Sequence, residues 1–592
     1  MKRVFFFLLL SGIAFSACEE DIIATTDDPV ETPSKNDDDQ DPEEPQGNWD
    51  DITLTEFGRT VSITWNGNSA TVEGDTNGIV KVEGADVTVD NRGHDEFVRY
   101  ELSGKSTDGS LKVYSLRRLA LVLNSLELTN KGGAAINVQT HKRTFVVLNG
   151  SSTLTDGAVN SSGNYPEETD SEDMKAAFFS EAQLVFSGSG SLTVNASGKA
   201  GITSDDYLRF MGTQKVTVTS ANGHALRGKD AITVDDGTIS ATASAAGKKG
   251  MTSDGSVTIN GGSITIKVSG GVATEQVTSN GTTATEYTGS SGIKSDSTFV
   301  MTGGVLDVTN SGQGGKGISG DMNAVFSGGS VTVSVTGSNY GSSGGGGRPG
   351  SGGRPGSGGM PGSSSSGSSD SSKSAKGIKF DGDILITEGN ITVSAASHEA
   401  IESKGKLEVT GGILYAYSPS DDAINSAGDM ILSGGYVCGW STGNDGIDAN
   451  GNLYIKGATV YAVTTKGSPE VAVDANTEGS KKLYVQSGTL VAVGGLESGS
   501  SITGSAYNAS SYSKGNWHGL FDKNGNAVLA FQAPSSSATM TVYSGGSTVT
   551  LKSQVTTSGG ESIWKGVGFV PGTVSGGSNV SLSTYTGGSG RR

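Results

Sequence analysis

Apolar residues recur along this chain with a period of two, in short runs. Ser263-Ile264-Thr265-Ile266-Lys267-Val268 is typical. Such alternation predicts a strand with one buried face. The runs themselves recur, in a phrase of the form G-I-x-S-D-x-x-ϕ-x-ϕ-T-G-G-x-ϕ-x-ϕ, where ϕ is apolar. It reads GMTSDGSVTINGGSITI from Gly250, GIKSDSTFVMTGGVLDV from Gly292 and GIKFDGDILITEGNITV from Gly377. AIESKGKLEVTGGILYA from Ala400, AINSAGDMILSGGYVCG from Ala423 and GIDANGNLYIKGATVYA from Gly446 repeat it. The anchors Ile378, Ile401, Ile424 and Ile447 lie 23 residues apart. A fixed period of this length predicts a solenoid, whose repeats bury their apolar faces only by stacking.

Each copy holds three short strand patterns punctuated by Gly-Gly, Asp-Gly or Asn-Gly. Three strands per repeat predict an all-β fold, a right-handed parallel β-helix of about 13 coils. Looser copies fall at Val87, Val113, Ile136, Phe178, Ile202, Leu226, Met251, Ile293 and Ile318. Wider gaps mark insertions: an acidic loop near 156–173, a Thr/Ser/Gly loop near 270–290, and a Gly/Ser-rich run at 337–373. The repeat resumes in phase after the last, so it reads as a flexible side loop rather than a domain linker. Beyond about residue 496 the repeat fades. Residues 496–592 read as a β-rich C-terminal cap on a helix spanning 51–495, because an open end would template aggregation.

The ends change the picture. Lys2 and Arg3 precede an apolar run from Val4 to Phe15, then Ser16-Ala17-Cys18. Residues 1–17 read as a lipoprotein signal peptide, too short to span a membrane, with Cys18 as the lipidation site. Glu19-Glu20-Asp21 then resembles an acidic surface-export signal, which suggests an outer-membrane lipoprotein exposed on the cell surface. Residues 18–50 read as a disordered acidic tether. The first 50 residues carry 3 basic and 13 acidic groups, a net of −10 out of −19 for the chain. Nothing shows the basic face that nucleic acid needs. With Cys18 lipidated, Cys438 has no disulfide partner.

Several long stretches carry a family resemblance. DGSLKVYSLRRLALVLNSLELTNKGGAAINV (Asp108–Val138), FVVLNGSSTLTDG (Phe145–Gly157) and HALRGKDAITVDDGTI (His224–Ile239) occur in order. Together with the repeats they resemble the secreted bacterial carbohydrate-binding domain-containing proteins, similar in fold to pectate lyases, over roughly 52–495. The resemblance implies binding of cellulose or acidic galacturonans, calcium in the coil turns and no need for catalysis. The family often writes D-D-G-I in many successive repeats, and this chain does so in few.

Aligning the anchors brings out candidate chemistry. Two positions before them stand Glu399, Asp422 and Asp445; one position after stand Glu402, Asn425, Asp448 and, after a longer repeat, Asp474. Stacked carboxylates repel, so a hard cation with oxygen ligands is expected there, and Ca2+ fits. A solvated acidic edge is the plainer alternative. In earlier repeats Arg227, Lys249, Lys294, Lys316, Lys376 and Lys379 stand near the anchors, with Asp205, Asp254, Asp296, Asp321 and Asp381 three positions after. These columns predict surface ion pairs; the functional alternative is a basic strip for uronate carboxylates, with Lys379 in it. In the strand after Gly-Gly, Leu414/Val437/Val460/Leu490 point inward, so Tyr415, Tyr417, Trp440 and Tyr461 point outward as a sugar-binding face, unless the cap covers them.

The five histidines are scattered, and no Ser-His-Asp grouping emerges. The expectation is a monomeric, surface-anchored and non-catalytic binder of plant-type or acidic polysaccharide. It meets the membrane only through its lipid anchor. A calcium-dependent pectate-type lyase, with Lys379 or Lys404 as base, is the enzyme alternative. An adhesin or envelope spacer is the structural one.

Overall fold

The computed structural model describes residues 50–169, 171–279, 282–341, 372–509, 511–536, 538–570 and 572–587. The signal peptide, Cys18, the tether up to residue 49 and positions 342–371 of the Gly/Ser-rich run lie outside the described residues. Two compact units divide at Leu54. The described part of the first is one 3-10 turn, Ile52–Leu54, preceded by an Asx turn in which Asp51 accepts from the Thr53 N–H at 2.9 Å. The second unit, Thr55–Arg592, holds everything described below.

The unit is all-β, and successive repeats pair in parallel. Ile401–Ser403 pairs with Ile424–Ser426, Leu407–Val409 with Met430–Leu432, and Ile413–Ser418 with Tyr436–Ser441, each partner 23 residues on. The anchor strands build a 14-stranded sheet from Val80–Glu83 to Ile447–Ala449. It is parallel apart from its first pair. The second and third strands of the repeats join a 28-stranded sheet, because strands such as Ile384–Ala395 and Leu453–Thr464 run through the corner between them. The Gly-Gly pairs serve that corner. Gly412 and Gly435 have φ of +79° and +74°, and a Cβ on either would lie within 2.7 Å of the backbone one repeat below. The turn needs the left-handed region and the stacking leaves no room for a side chain.

The anchors form one continuous buried column. Ile318, Ile378, Ile401, Ile424 and Ile447 are each at most 1% exposed and pair in register. Burying each such side chain contributes about 1.5–3 kcal/mol. One early anchor differs from expectation. Val87 pairs with Leu111, and Leu111 with Ile136, so Leu111 is the anchor and Val113 faces Val138. Both point inward, which is why alternation alone did not separate them.

The insertions leave one edge of the repeats, just before the anchor strands. The second is not a loop: Ala273–Ser279 and Thr282–Thr288 pair as an antiparallel hairpin. The described ends of the third meet in a bridge between Tyr340 and Lys373.

The C-terminal segment does more than end the stack. Met540–Ser544 runs antiparallel to Leu483–Val493 and pairs with its free edge. Six further strands form an antiparallel sheet whose edges are Glu561–Ile563 and Thr573–Asn579. This segment lies over the outward face of the late repeats and builds a second core there. Cys438, Tyr461, Val463 and Val491 pack with Leu529, Phe531 and Trp564.

Candidate functional site

Two outward-facing columns flank the anchors, and their character changes along the stack. The column one position after the anchors runs Lys294, Ser319, Lys379, Glu402, Asn425, Asp448, each in register with the next. The column two positions before runs Lys316, Lys376, Glu399, Asp422, Asp445. Both pass from cationic to anionic at the repeat of Ile401.

In the earlier repeats most charges are compensated. Arg227 pairs with Asp254 at 2.8 Å and Asp205 at 3.5 Å, and Lys294 with Asp296 and Asp321 at 2.8 and 2.5 Å. Lys379 bonds Asp381, so its ammonium is engaged locally rather than offered to a sugar. Lys316 has no carboxylate partner among the described residues. Burial and the nearby Lys379 and Lys376 push its ammonium down to about 8.

At the crossover the expected metal ligands Glu399 and Glu402 are held by cations of the protein itself. Lys376 Nζ lies 3.2 Å from Glu399 and also bonds Glu402, which Lys404 reaches from the other side. Burial alone would raise the Glu402 carboxyl, but the Lys376 charge and its hydrogen bond hold it below its ordinary value. His398 Nδ1 faces Glu399 and lies 2.9 Å from Asp421. Burial opposes its charged form, yet the hydrogen bonds to these carboxylates raise the imidazole to about 9. Glu399 and Glu402, expected as metal ligands, are thus already compensated by the protein's own cations. The signal was present: the spacing that stacks Asp422 on Glu399 also stacks Glu399 on Lys376.

Beyond the crossover compensation stops. Asp422 and Asp445 are 5% and 6% exposed, and no Lys, Arg or His pairs with them, with Asp448 or with Asp474 among the described residues. Burial, reinforced by Asp448, Asp421 and Asp445, pushes Asp422 well above the carboxylate range. Burial likewise raises Asp445 to about 8. Asp448 rises to about 6 and Asp474 to about 9, again chiefly through burial. Neutral donors take part of the load. Asn425 gives its amide Nδ2 to Asp422 at 3.2 Å and Asp448 at 2.9 Å, so it meets the carboxylates as a donor rather than as an oxygen ligand. The Asp445 N–H donates to Asp422 at 3.0 Å.

The donor chemistry of Asp422, Asp445, Asp448 and Asp474 fits a hard cation: oxygen only and uncompensated. The four do not converge on one point. The acidic or histidine groups whose ligand atoms lie within 4.8 Å of one another, among the described residues, are His398–Glu399–Asp421 and Asp173–Glu181–Asp205. Each already contains a lysine, Lys376 or Lys175.

The expected sugar face is largely covered. Tyr461 is fully buried, donates its hydroxyl to the Gln532 carbonyl at 2.7 Å and packs against Phe531 and Trp564. It is a core residue, not an exposed platform. Tyr415 and Trp440 are half-buried against the same cluster, with Trp440 edge-on to Tyr461. Tyr417 is half-buried and outside that cluster. The strands Ala527–Gln532 and Met540–Ser544 bury an apolar face, and these rings are part of what they pack against.

The model of a family described as carbohydrate-binding domain-containing protein matches residues 83–338, 294–423 and 371–514. No curated protein matches the chain. Among solved structures, the polysaccharide lyase-like protein from C. thermocellum, in a gadolinium derivative, is similar at 22% identity and a TM-score of 0.28. The match covers 47% of this chain and 92% of that one. With most of the repeat region matched, this chain belongs to the carbohydrate-binding domain-containing family.

Proposed function

We propose that this protein is a surface-exposed lipoprotein whose repeats wind as a right-handed parallel β-helix and bind polysaccharide without turning it over, assisted by calcium. The family supports the polysaccharide. Parallel, in-register pairing of three strands per repeat supports the coil. The apolar run before Ser16-Ala17-Cys18 supports lipidation at Cys18, and the acidic residues after it support export to the outer face. The chain acts as a monomer, tied to the membrane by its lipid alone.

The observation that carries the calcium reading is the run of buried carboxylates at Asp422, Asp445, Asp448 and Asp474 with no cation of the protein's own beside it. Burial without partners makes the charged form costly and holds protons on these groups, and a divalent cation would take the protons' place and offset that cost. When bound, calcium would supply positive charge for an acidic sugar to bridge. Asp422, Asp445, Asp448 and Asp474 would offer it oxygens spread along the column rather than as one cage; Lys376 and His398 fence off Glu399 and Asp421. Of the four aromatics expected to meet a sugar, Tyr417 is the one outside the cluster formed with the C-terminal segment.

Retention of the protein on insoluble cellulose and pectin, with calcium or with EDTA, tests this reading. Calcium-dependent retention that Asp445→Asn with Asp448→Asn removes is the expected result. Release of unsaturated, ultraviolet-absorbing oligosaccharides from polygalacturonate would make the protein a lyase instead. Indifference to every glycan would leave a spacer. Cys18→Ser should move the protein from the membrane to the soluble fraction.

A further inference from the structure

A cavity lies far along the sequence from the acidic column. It has a volume of about 630 Å3 and opens where the repeats of Ile202, Leu226 and Met251 meet the first insertion, which contributes Val159 and Gly163 to its wall. Five cationic side chains line it, Lys175, Lys199, Arg227, Lys229 and Lys248, against the one carboxylate of Asp205. Asp205 takes Lys175 and lies 3.5 Å from Arg227, and Lys199 pairs with Glu168 of the insertion at 2.6 Å. Lys229 and Lys248 have no carboxylate partner among the described residues. Lys249, next in the chain, spends its ammonium on the Gly247 carbonyl at 2.8 Å. Burial, with Lys248 and Lys294, lowers it to about 8. Ordinary surface ion pairing therefore leaves this wall with unspent positive charge.

Two neutral polar residues belong to the same wall. Thr203 is 1% exposed, lines the cavity, and its Oγ1 has no hydrogen-bond partner. A buried hydroxyl without a partner costs free energy that a ligand acceptor would recover. His224 also lines the cavity. Its Nδ1 accepts the Lys249 N–H at 3.0 Å, which leaves Nε2 to carry the proton as a donor. Burial and the surrounding Lys249, Lys248 and Arg227 push this imidazole down to about 3, so it serves as a neutral donor across the physiological range.

We infer that this cleft is a metal-independent binding site for the oxyanionic substituents of a polysaccharide, carboxylate or sulfate. Lys229 and Lys248 neutralise the anion, Thr203 and His224 donate to its oxygens, and Asp205 positions Lys175 and Arg227. The one carboxylate in the lining, Asp205, is taken by Lys175, which separates this site from the uncompensated acidic column. Carboxylate and sulfate present the same chemistry here, a single negative charge spread over two or three acceptor oxygens. The inference rests on the polysaccharide-binding reading for the sugar that carries the anion.

Isothermal titration of the full chain in EDTA tests it, with a galacturonate tetrasaccharide, a chondroitin sulfate tetrasaccharide and cellotetraose as probes. At least one anionic probe should bind without calcium, more weakly as salt rises. Binding of the first alone identifies uronates, and of the second alone sulfated glycans. Lys229→Gln with Lys248→Gln should weaken that binding about tenfold. Both side chains are unpaired, so folding does not depend on them. Thr203→Val keeps the shape and removes the unpartnered hydroxyl. It should weaken binding while leaving the melting temperature unchanged or raised. Loss of all anionic binding in EDTA, or variants that bind like the unmutated protein, would overturn the site. If cellotetraose or calcium-dependent glycan binding survives in that case, the polysaccharide reading stands and the cleft alone falls. If no glycan binds under any condition, both fall.

Discussion

The repeats before Ile401 and those after it share one backbone, one register and one pair of outward columns, yet their electrostatics are opposite. Before the crossover, Arg227, Lys294 and Lys379 sit beside aspartates three positions past their anchors, and opposite charges pair. After it, those neighbouring aspartates are gone and the columns themselves turn acidic. Asp422, Asp445 and Asp448 then depend on Asn425 and backbone N–H groups. The crossover is stapled by Lys376, which reaches both Glu399 and Glu402. A stacked fold repeats every local choice at the strand spacing, so one change of residue type becomes a change of electrostatic regime.

The staple should give the largest effect. Lys376→Ala leaves Glu399 and Glu402 buried without their shared cation, and removing one partner of a buried pair costs about 3–5 kcal/mol. A urea midpoint should fall accordingly, and Lys376→Met with Glu402→Gln should recover much of the loss. A midpoint that does not move would mean that Lys404 and His398 suffice, and the contrast between the halves would lose its hinge.

The uncompensated half should respond to pH in the opposite sense to the stapled one. Asp445 is raised to about 8 from an ordinary value near 3.8. The folded state keeps a proton that the unfolded chain loses, so stability is greatest below the unfolded value and declines as pH rises toward 8. The limiting slope is about 1.4 kcal/mol per pH unit for one such group. Glu402 is depressed, so its contribution is present above the ordinary carboxylate range and disappears as pH falls. In EDTA, Asp445→Asn should be more stable than the unmutated protein at pH 8 and equal to it at pH 4. Parallel curves would place the Asp445 carboxylate in contact with solvent.

Calcium should act on one half only. A cation that binds the folded state at a hundred times its dissociation constant stabilises by about 2.7 kcal/mol. Melting in calcium against EDTA should show that gain in the unmutated chain and lose it in Asp445→Asn with Asp448→Asn. Lys376→Met with Glu402→Gln should keep it. Retention of the shift without the aspartates would move the cation elsewhere.

The smallest effect belongs to the exposed ion pairs of the earlier repeats. Lys379→Ala breaks the contact with Asp381, whose carboxylate is 45% exposed. Pairs of this kind are worth about 0–1 kcal/mol. A larger loss would show that the outward columns carry stability even where solvent reaches them.

What the chain determined by itself is its periodic part. A 23-residue recurrence of alternating strands and Gly-Gly corners specifies strand number, parallel pairing and inward columns, because a one-residue slip would turn every apolar side chain outward. Ile378, Ile401, Ile424 and Ile447 were legible for that reason, as was the equivalence of Asp448 and Asp474, whose anchor Val473 bridges Ile447. Where period and alternation give different information, legibility ended: Leu111 and Val113 both point inward, and only pairing separated them. Non-periodic features had to wait for tertiary structure. The C-terminal strands carry no register signal, so nothing local said that Phe531 and Trp564 would bury Tyr461. Nor could spacing show that insertion residues Val159 and Gly163 would wall a basic cleft against Lys248. Periodicity tells which way a side chain points within its own sheet. What it meets there depends on chain segments that pack by shape and burial, long-range contacts that only the folded molecule assembles.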